Sequence, residues 1–363
     1  MKTVSSTYHP DDVTLLLKDI SGMVTPLPSS EREPLIQRGI HYSEMLPLEK
    51  KPSEKYLELY KNALDEYSEI TARAVMTVSE KLYRRTKGTP VLVSLARAGT
   101  SVGVLIKKYL ERKYAVKVPH YTVSIIRGKG IDKNAVDYIL ERHSAESIRF
   151  VDGWTGKGAI LTTLRKTLSE AYPMLSDQLA VLADPAYITD LCGTHEDFLI
   201  AASCLNSTVS GLISRTFLRN DIIGEKDFHG SAFYSELAAE DRTYEFINSV
   251  YEKLPFDTAF SDDELHAFET PENLPETGKG ISEVKEIAEK FGISDINLIK
   301  PGIGETTRVL LRRAPWKILL RDKNDTEYVK HIIRLAEENN VTIEEYPLKC
   351  YRACGIIRSM ADT

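Results

Sequence analysis

The sequence predicts an α/β protein built on a doubly wound parallel sheet. Three observations point there. Short apolar strands alternate with helical segments from Thr89 to Ala183. These strands are apolar without clean alternation, which suits a sheet covered on both faces. Two of them run straight into glycine-bearing turns that open helices. N-terminal helical structure elaborates this core, and a smaller α/β sandwich follows it.

The first element is a helix. After an irregular, proline-bearing stretch up to Lys51, apolar residues fall at Tyr56, Tyr60, Ala63, Tyr67, Ile70, Ala74, Val78 and Leu82. Steps of three and four mark a long amphipathic helix, with Ser53 as its N-cap behind Pro52. Strands are expected at 91–95, 120–126, 148–151 and 179–183, and helices at 101–112, 132–142 and 158–171. Residues 254–280 turn acidic and rich in proline and glycine, which reads as a linker. Further on, a glycine-rich turn, a helix and an apolar strand occupy 297–321, followed by a helix at 326–339 and a strand at 341–346. The expected division is 1–88 for the extension and long helix, 89–255 for the sheet, 256–280 for the linker and 281–363 for the sandwich.

A chain of 363 residues with 42% hydrophobic content has enough apolar material for two or three domains. A net charge of −6 argues against a generally basic coat for nucleic acid. Cys192, Cys204, Cys350 and Cys354 form neither a disulfide framework nor a zinc pattern, so a reducing, cytoplasmic setting is expected. No apolar run approaches the ~20 residues of a membrane span.

Residues 148–160, IRFVDGWTGKGAI, carry the main chemical signal. Glycines let backbone N–H groups approach phosphate oxygens, and the start of the next helix adds unpaired donors. Thr155, Gly156, Lys157 and Gly158 would form the cradle. Asp152, at the carboxyl end of its strand, can reach a Mg²⁺ shell or ribose hydroxyls. A Walker A loop fails by count, because it needs glycine where Val151 stands and Ser or Thr where Gly158 stands. A second such turn, LARAGTSVG at 95–103, contains Arg97, Ala98, Gly99 and Thr100.

On these two turns the region from about 90 to 235 resembles the type I phosphoribosyltransferases. Arg97-Ala98-Gly99 looks like their pyrophosphate loop, and Val151-Asp152 to Gly158 looks like their motif for phosphoribosyl pyrophosphate. Gly153 stands where that motif has a second acid. The segments 39–49, 124–132, DLCGTHEDF and STVSGLISRT are closer still to phosphoribosyltransferase-like proteins of bacterial tellurite-resistance and stress operons, some of which carry the label cysteine protease StiP. The resemblance implies phosphoribosyl transfer from phosphoribosyl pyrophosphate with Mg²⁺, in a stress-linked pathway making a nucleoside-type metabolite, alongside other proteins of the operon. Arg97 would hold pyrophosphate, Asp152 ribose or Mg²⁺, and Thr155 to Gly158 the 5′-phosphate. Arg127 and Lys129 would lie on a mobile loop, and Tyr42 and Glu44 would read the acceptor.

Residues 281–363 resemble the L7Ae/L30e-like RNA-binding domain in its Pelota branch. Gly304-Glu305-Thr306-Thr307-Arg308 stands where that family has Asn-Glu-x-x-Lys, and Ala353-Cys354-Gly355 matches its closing turn. Gly304 lacks a base-reading amide, which leaves backbone contacts to structured RNA by Lys300, Arg308, Arg312 and Arg313. A competing class is therefore a non-catalytic, nucleotide-sensing RNA-binding regulator. A cysteine protease comes third, from Cys192 and His195 three apart in LCGTHED. The bland alternatives there are a helix start, with Thr194 as N-cap, or a metal site completed by His229.

Overall fold

The computed structural model describes residues 2–86, 88–271, 278–313 and 315–357, so residues 272–277 of the expected linker and the last six of the expected sandwich lie outside the described residues. In chain order the first domain contains β1 (Thr14–Leu15), α1 (Glu54–Arg84), β2 (Val91–Leu95), α2 (Ala98–Tyr114), β3 (His120–Val123), α3 (Lys133–Leu140), β4 (Ile148–Val151), α4 (Ala159–Ala171), β5 (Leu179–Ala183) and β6 (Cys192–Thr194). The strands form one sheet in the order β1-β3-β2-β4-β5-β6, and every neighbouring pair is parallel.

Full burial of β2 and β5 has the cause the composition suggested. In β2, Val91, Val93 and Leu95 enter the core formed with α3 and α4, while Leu92 enters the core formed with α1 and α2. β5 divides in the same way, with Leu179 and Val181 on one face and Ala180 and Leu182 on the other. The stripe on α1 buries Tyr60, Ala63, Tyr67, Ala74, Val78 and Leu82. Ser53 is its N-cap by conformation, although its side chain makes no capping hydrogen bond.

Three local expectations need correction. The apolar stretch 120–126 breaks after Val123, and Ile125–Ile126 pairs antiparallel with Gly130–Ile131 in a hairpin that carries Arg127 and Lys129. Thr194 does not cap a helix; it ends β6, opposite Ala183. The expected linker holds a helix at Asp262–Glu269, started by a capping box between Ser261 and Glu264.

Gly193, in the middle of β6, lies against the backbone of α1. A Cβ there would sit 2.3 Å from the Ala74 carbonyl oxygen and 2.6 Å from its Cα. Backbone cannot yield as a side chain can, so Gly193→Ala should destabilise the protein by about 3 kcal/mol. A lower urea midpoint at unchanged m would show it.

After α5 (Thr243–Tyr251) and α6 (Asp262–Glu269) come α7 (Lys279–Lys290), β7 (Ile299–Pro301), α8 (Ile303–Arg312), β8 (Pro315–Leu320), α9 (Thr326–Glu338), β9 (Thr342–Glu345) and β10 (Ala353–Ile357). The C-terminal sheet runs β7-β10-β8-β9, with only β8 and β9 parallel. Ala353, Cys354 and Gly355, expected as a closing turn, open β10 instead. This module packs on α1: the Tyr56 and Tyr67 hydroxyls donate to the carbonyls of Leu311 and Glu327. Its own apolar residues Ile303, Leu310, Val329 and Ile332 join the core of the first domain.

Candidate active site

The parallel sheet brings four chemical groups to one edge. Arg97 follows β2, Asp152 follows β4, Asp184 follows β5 and His195 follows β6. Carboxyl ends of parallel strands are where such sheets present functional groups.

Cys192 opens β6, and its Sγ lies 3.6 Å from Nε2 of His195 and 4.0 Å from Nδ1. Nδ1 is 2.7 Å from the main-chain carbonyl oxygen of Asp184 and 3.5 Å from that residue's Oδ2. A carbonyl only accepts, so the hydrogen-bond network assigns the proton to Nδ1 and leaves Nε2, the ring nitrogen nearer to sulfur, unprotonated. The Asp184 carboxyl is fixed in turn: Oδ1 accepts from the Thr155 hydroxyl, and Oδ2 accepts from the N–H groups of Ile188 and Thr189. Burial pushes the Asp184 carboxyl up, against these hydrogen bonds and His195. The ring of Tyr187 stacks on the imidazole at 4.3 Å and 3°. Cys192 is 1% exposed, so its sulfur lies under other atoms.

The remaining cysteines lack this chemistry. Burial pushes the thiol of Cys204 up to about 12 and that of Cys350 up to about 11, and raises Cys354 as well. A nucleophile needs the opposite shift. His229, considered above as a metal ligand, sits instead on Ser124 and Asp132. Among the described residues, Asp184, Cys192 and His195 are the group of three whose donor atoms come within 4.8 Å of one another. The sequence reading missed Asp184. Its signal was present, since Asp184 follows LAVLA as Asp152 follows IRFV.

The two glycine turns do converge, on a cleft of about 590 Å³ between the sheet domain and the C-terminal module. Several residues expected on a ligand are otherwise engaged. The Thr100 hydroxyl is buried against Thr122, and Thr155 is spent on Asp184. Lys157 donates to the carbonyls of Ile296 and Ile299 at 2.6 and 3.1 Å, and the Gly156 carbonyl accepts from Tyr351. Burial, with Lys300 and Arg127 nearby, pushes Lys157 down to about 8. Arg97 contacts Glu49 and the Ile213 carbonyl, each at 3.2 Å. Ala98 opens α2. Gly99 is pressed on Val151, where a Cβ would be 2.4 Å from the carbonyl oxygen, and Gly158 takes a φ of +84° just before α4. Tyr42 accepts from the Arg127 N–H, and Glu44 faces Lys129 at 3.8 Å, so this pair braces the hairpin.

The module supplies the opposite wall. Arg312 donates to Asn206 Oδ1 and the Cys204 carbonyl, Arg313 pairs with Glu33, and Arg308 with Glu305. Gly304 abuts Ser203. The helix face expected to meet RNA is thus turned onto the first domain. Lys300 also lines the cleft, as does Arg215, which sequence reading passed over. Burial and the neighbouring Arg97 and Arg32 push Arg215 down to about 10. Asp152 and Glu305 are the acids of this lining. Asp152 is the sheet-side acid of that lining, so a magnesium ion there would take its other ligands from water and an anion's oxygens.

Burial pushes Asp152 up to about 7, against hydrogen bonds from Gly153 and Gly99. The unfolded chain gives up this proton near pH 4 and the folded chain holds it to about 7. Stability therefore falls as pH rises between these values. Asp152→Asn keeps the acceptor for Gly153 and removes the slope. It should stabilise the protein by about 3 kcal/mol at pH 8 and change nothing below about pH 4, as urea titrations at both pH values will show.

Residues 6–251 match the family model described as tellurite-like stress resistance cysteine protease StiP, and residues 278–359 match the PELOTA RNA binding domain. A curated relative, cysteine protease StiP of Acinetobacter baylyi, is 33% identical over 98% of this chain and 94% of its own length. Among the described residues no helix is long and apolar enough to cross a membrane. Both names specify a cysteine protease, and this overturns the expectation of a phosphoribosyltransferase; the reading placed third is the one the relatives favour. The glycine turns misled because their donors, Thr155 and Lys157, serve Asp184 and the module rather than a sugar phosphate. With two thirds of its length under that family model and a relative matched nearly end to end, the chain belongs to the StiP family.

Proposed function

We propose that this protein is a thiol-dependent peptidase with Cys192 as nucleophile, His195 as general base and acid, and Asp184 as the residue that orients the imidazole. One observation carries the reading: Nδ1 is held on the Asp184 carbonyl, so the unprotonated Nε2 is the ring nitrogen nearer to Sγ, at 3.6 Å. Nε2 takes the thiol proton, and the thiolate attacks a peptide carbonyl carbon. The C–N bond breaks as His195 returns the proton to the leaving amine. Water, deprotonated by the same nitrogen, then releases the acid from the thioester. The names of the family and of the relative support this assignment.

The cleft gives the substrate its character. Thr155 and Ile188, which hold the Asp184 carboxyl, both line it, so it adjoins the catalytic group. Its cations outnumber its acids, which favours peptides with anionic side chains. RNA is less well served here, because Arg312 and Arg313 are committed to the first domain.

The test is cleavage of matched acidic and basic peptide libraries, with iodoacetamide labelling followed by mass spectrometry. Acidic peptides should be cut faster, and activity should fall in step with alkylation of Cys192. Full activity after complete alkylation of Cys192 would sink the assignment.

A further inference from the structure

We infer that the C-terminal module is a built-in cap on the Cys192–His195 site, held shut by contacts on both sides of His195. The inference rests on the peptidase reading for its consequence, while its geometry stands independently.

On one side of His195 is Tyr187, whose ring covers the imidazole. Its backbone, at a φ of +53°, is in the left-handed region that residues other than glycine seldom occupy. The entry to α7 fixes this segment: Gly278 N–H donates to the Tyr187 carbonyl and Gly280 N–H to the Ala186 carbonyl, both at 3.1 Å. Gly280 is seated so closely that a Cβ would lie 2.2 Å from the Tyr351 hydroxyl and 2.9 Å from Ala186 Cα. Lys279 Nζ stands 5.5 Å from the Tyr187 ring centroid.

On the other side are Glu196 and Asp197. The buried Asp197 carboxylate accepts from the N–H groups of Ile303, at the start of α8, and of Arg352. The Arg352 guanidinium reaches Glu196 and the Asp197 carbonyl. A segment of three residues that includes the base is therefore clamped by one module, and the stacked tyrosine beside it by the same module. Both sets of contacts belong to one module, so its release would free both sides of His195. Undocking the module frees Tyr187 to swing off His195 and opens the imidazole side of the sulfur, whose other side stays packed in the sheet-domain core.

Iodoacetamide labelling of the intact chain, resolved by cysteine with mass spectrometry, measures the cap without reference to proteolysis. In the wild type Cys192 should label slowly. Gly280→Val, which wedges α7 off Ala186, and Arg352→Ala, which removes the second clamp, should each raise the Cys192 rate at least tenfold. Tyr187→Ala should do the same by removing the ring that covers the imidazole. Cys354, inside the module's own core, serves as the internal reference and should stay slow. Unchanged labelling of Cys192 in all three variants, or an equal rise at Cys354, overturns the cap. Faster labelling of Cys192 with no peptide cleaved upholds the cap and removes the peptidase reading instead.

Discussion

Cys192→Ser should lower kcat/KM for peptide cleavage by at least about 10³, because an imidazole matched to a thiol activates a hydroxyl poorly. His195→Ala should cost as much, and the double variant hardly more, since the two side chains act as one unit. Asp184→Asn should behave differently. The closer partner of Nδ1 is the main-chain carbonyl, at 2.7 Å against 3.5 Å for the carboxylate, and that carbonyl survives the substitution. The imidazole keeps its tautomer and loses only electrostatic support, so the loss should be nearer tenfold than the ~10⁴ known where a carboxylate alone sets the tautomer. Cys204→Ser should keep full activity, because burial holds its thiol up at about 12. Progress curves with one acidic peptide decide among these outcomes, and equal losses at positions 184 and 195 would contradict the assigned hydrogen-bond pattern.

Asp197→Ala should produce the largest structural effect. Removing the carboxylate leaves the buried N–H groups of Ile303 and Arg352 without their acceptor and takes away the negative charge that Asp197 places against the start of α8. An unsatisfied buried donor costs about 1–3 kcal/mol, so the expected loss is about 4 kcal/mol. It should be confined to docking of the module. Denaturation should then split, with an early transition for the module ahead of the sheet domain, where the wild type shows one. Asp197→Asn should recover only part of this, because its amide offers one accepting oxygen where the carboxylate offers two. A single unsplit transition in Asp197→Ala would show that the module is held elsewhere.

Much of this architecture could be read from local pattern. The stripe from Tyr56 to Leu82 and the largely apolar runs at 91–95, 148–151 and 179–183 state their period and their burial without help from the rest of the chain. The nearness of Cys192 and His195 was also written in the sequence. Their meaning was not. β6 has three residues, includes a glycine and shows no period, and it is a strand only because β5 offers it an edge. That pairing aligns Thr194 with Ala183, and so brings His195 to the Asp184 carbonyl that fixes its tautomer.

Charge posed the same difficulty. A basic helix face looks alike in sequence whether it meets water, RNA or its own neighbour, and the fold turned Arg308 and Arg312 inward. Thr155 and Lys157 in a glycine turn suggest a phosphate until Asp184 and the carbonyls of Ile296 and Ile299 are seen to occupy them. The sequence by itself determined the long helix and the central strands at 91–95, 148–151 and 179–183, because period and burial are local properties of the chain. Tertiary structure decided which side chains have partners, because those partners come from residues 29 positions away, as for Thr155 and Asp184, or 139, as for Lys157 and Ile296, and only the packed sheet and the docked module bring them together.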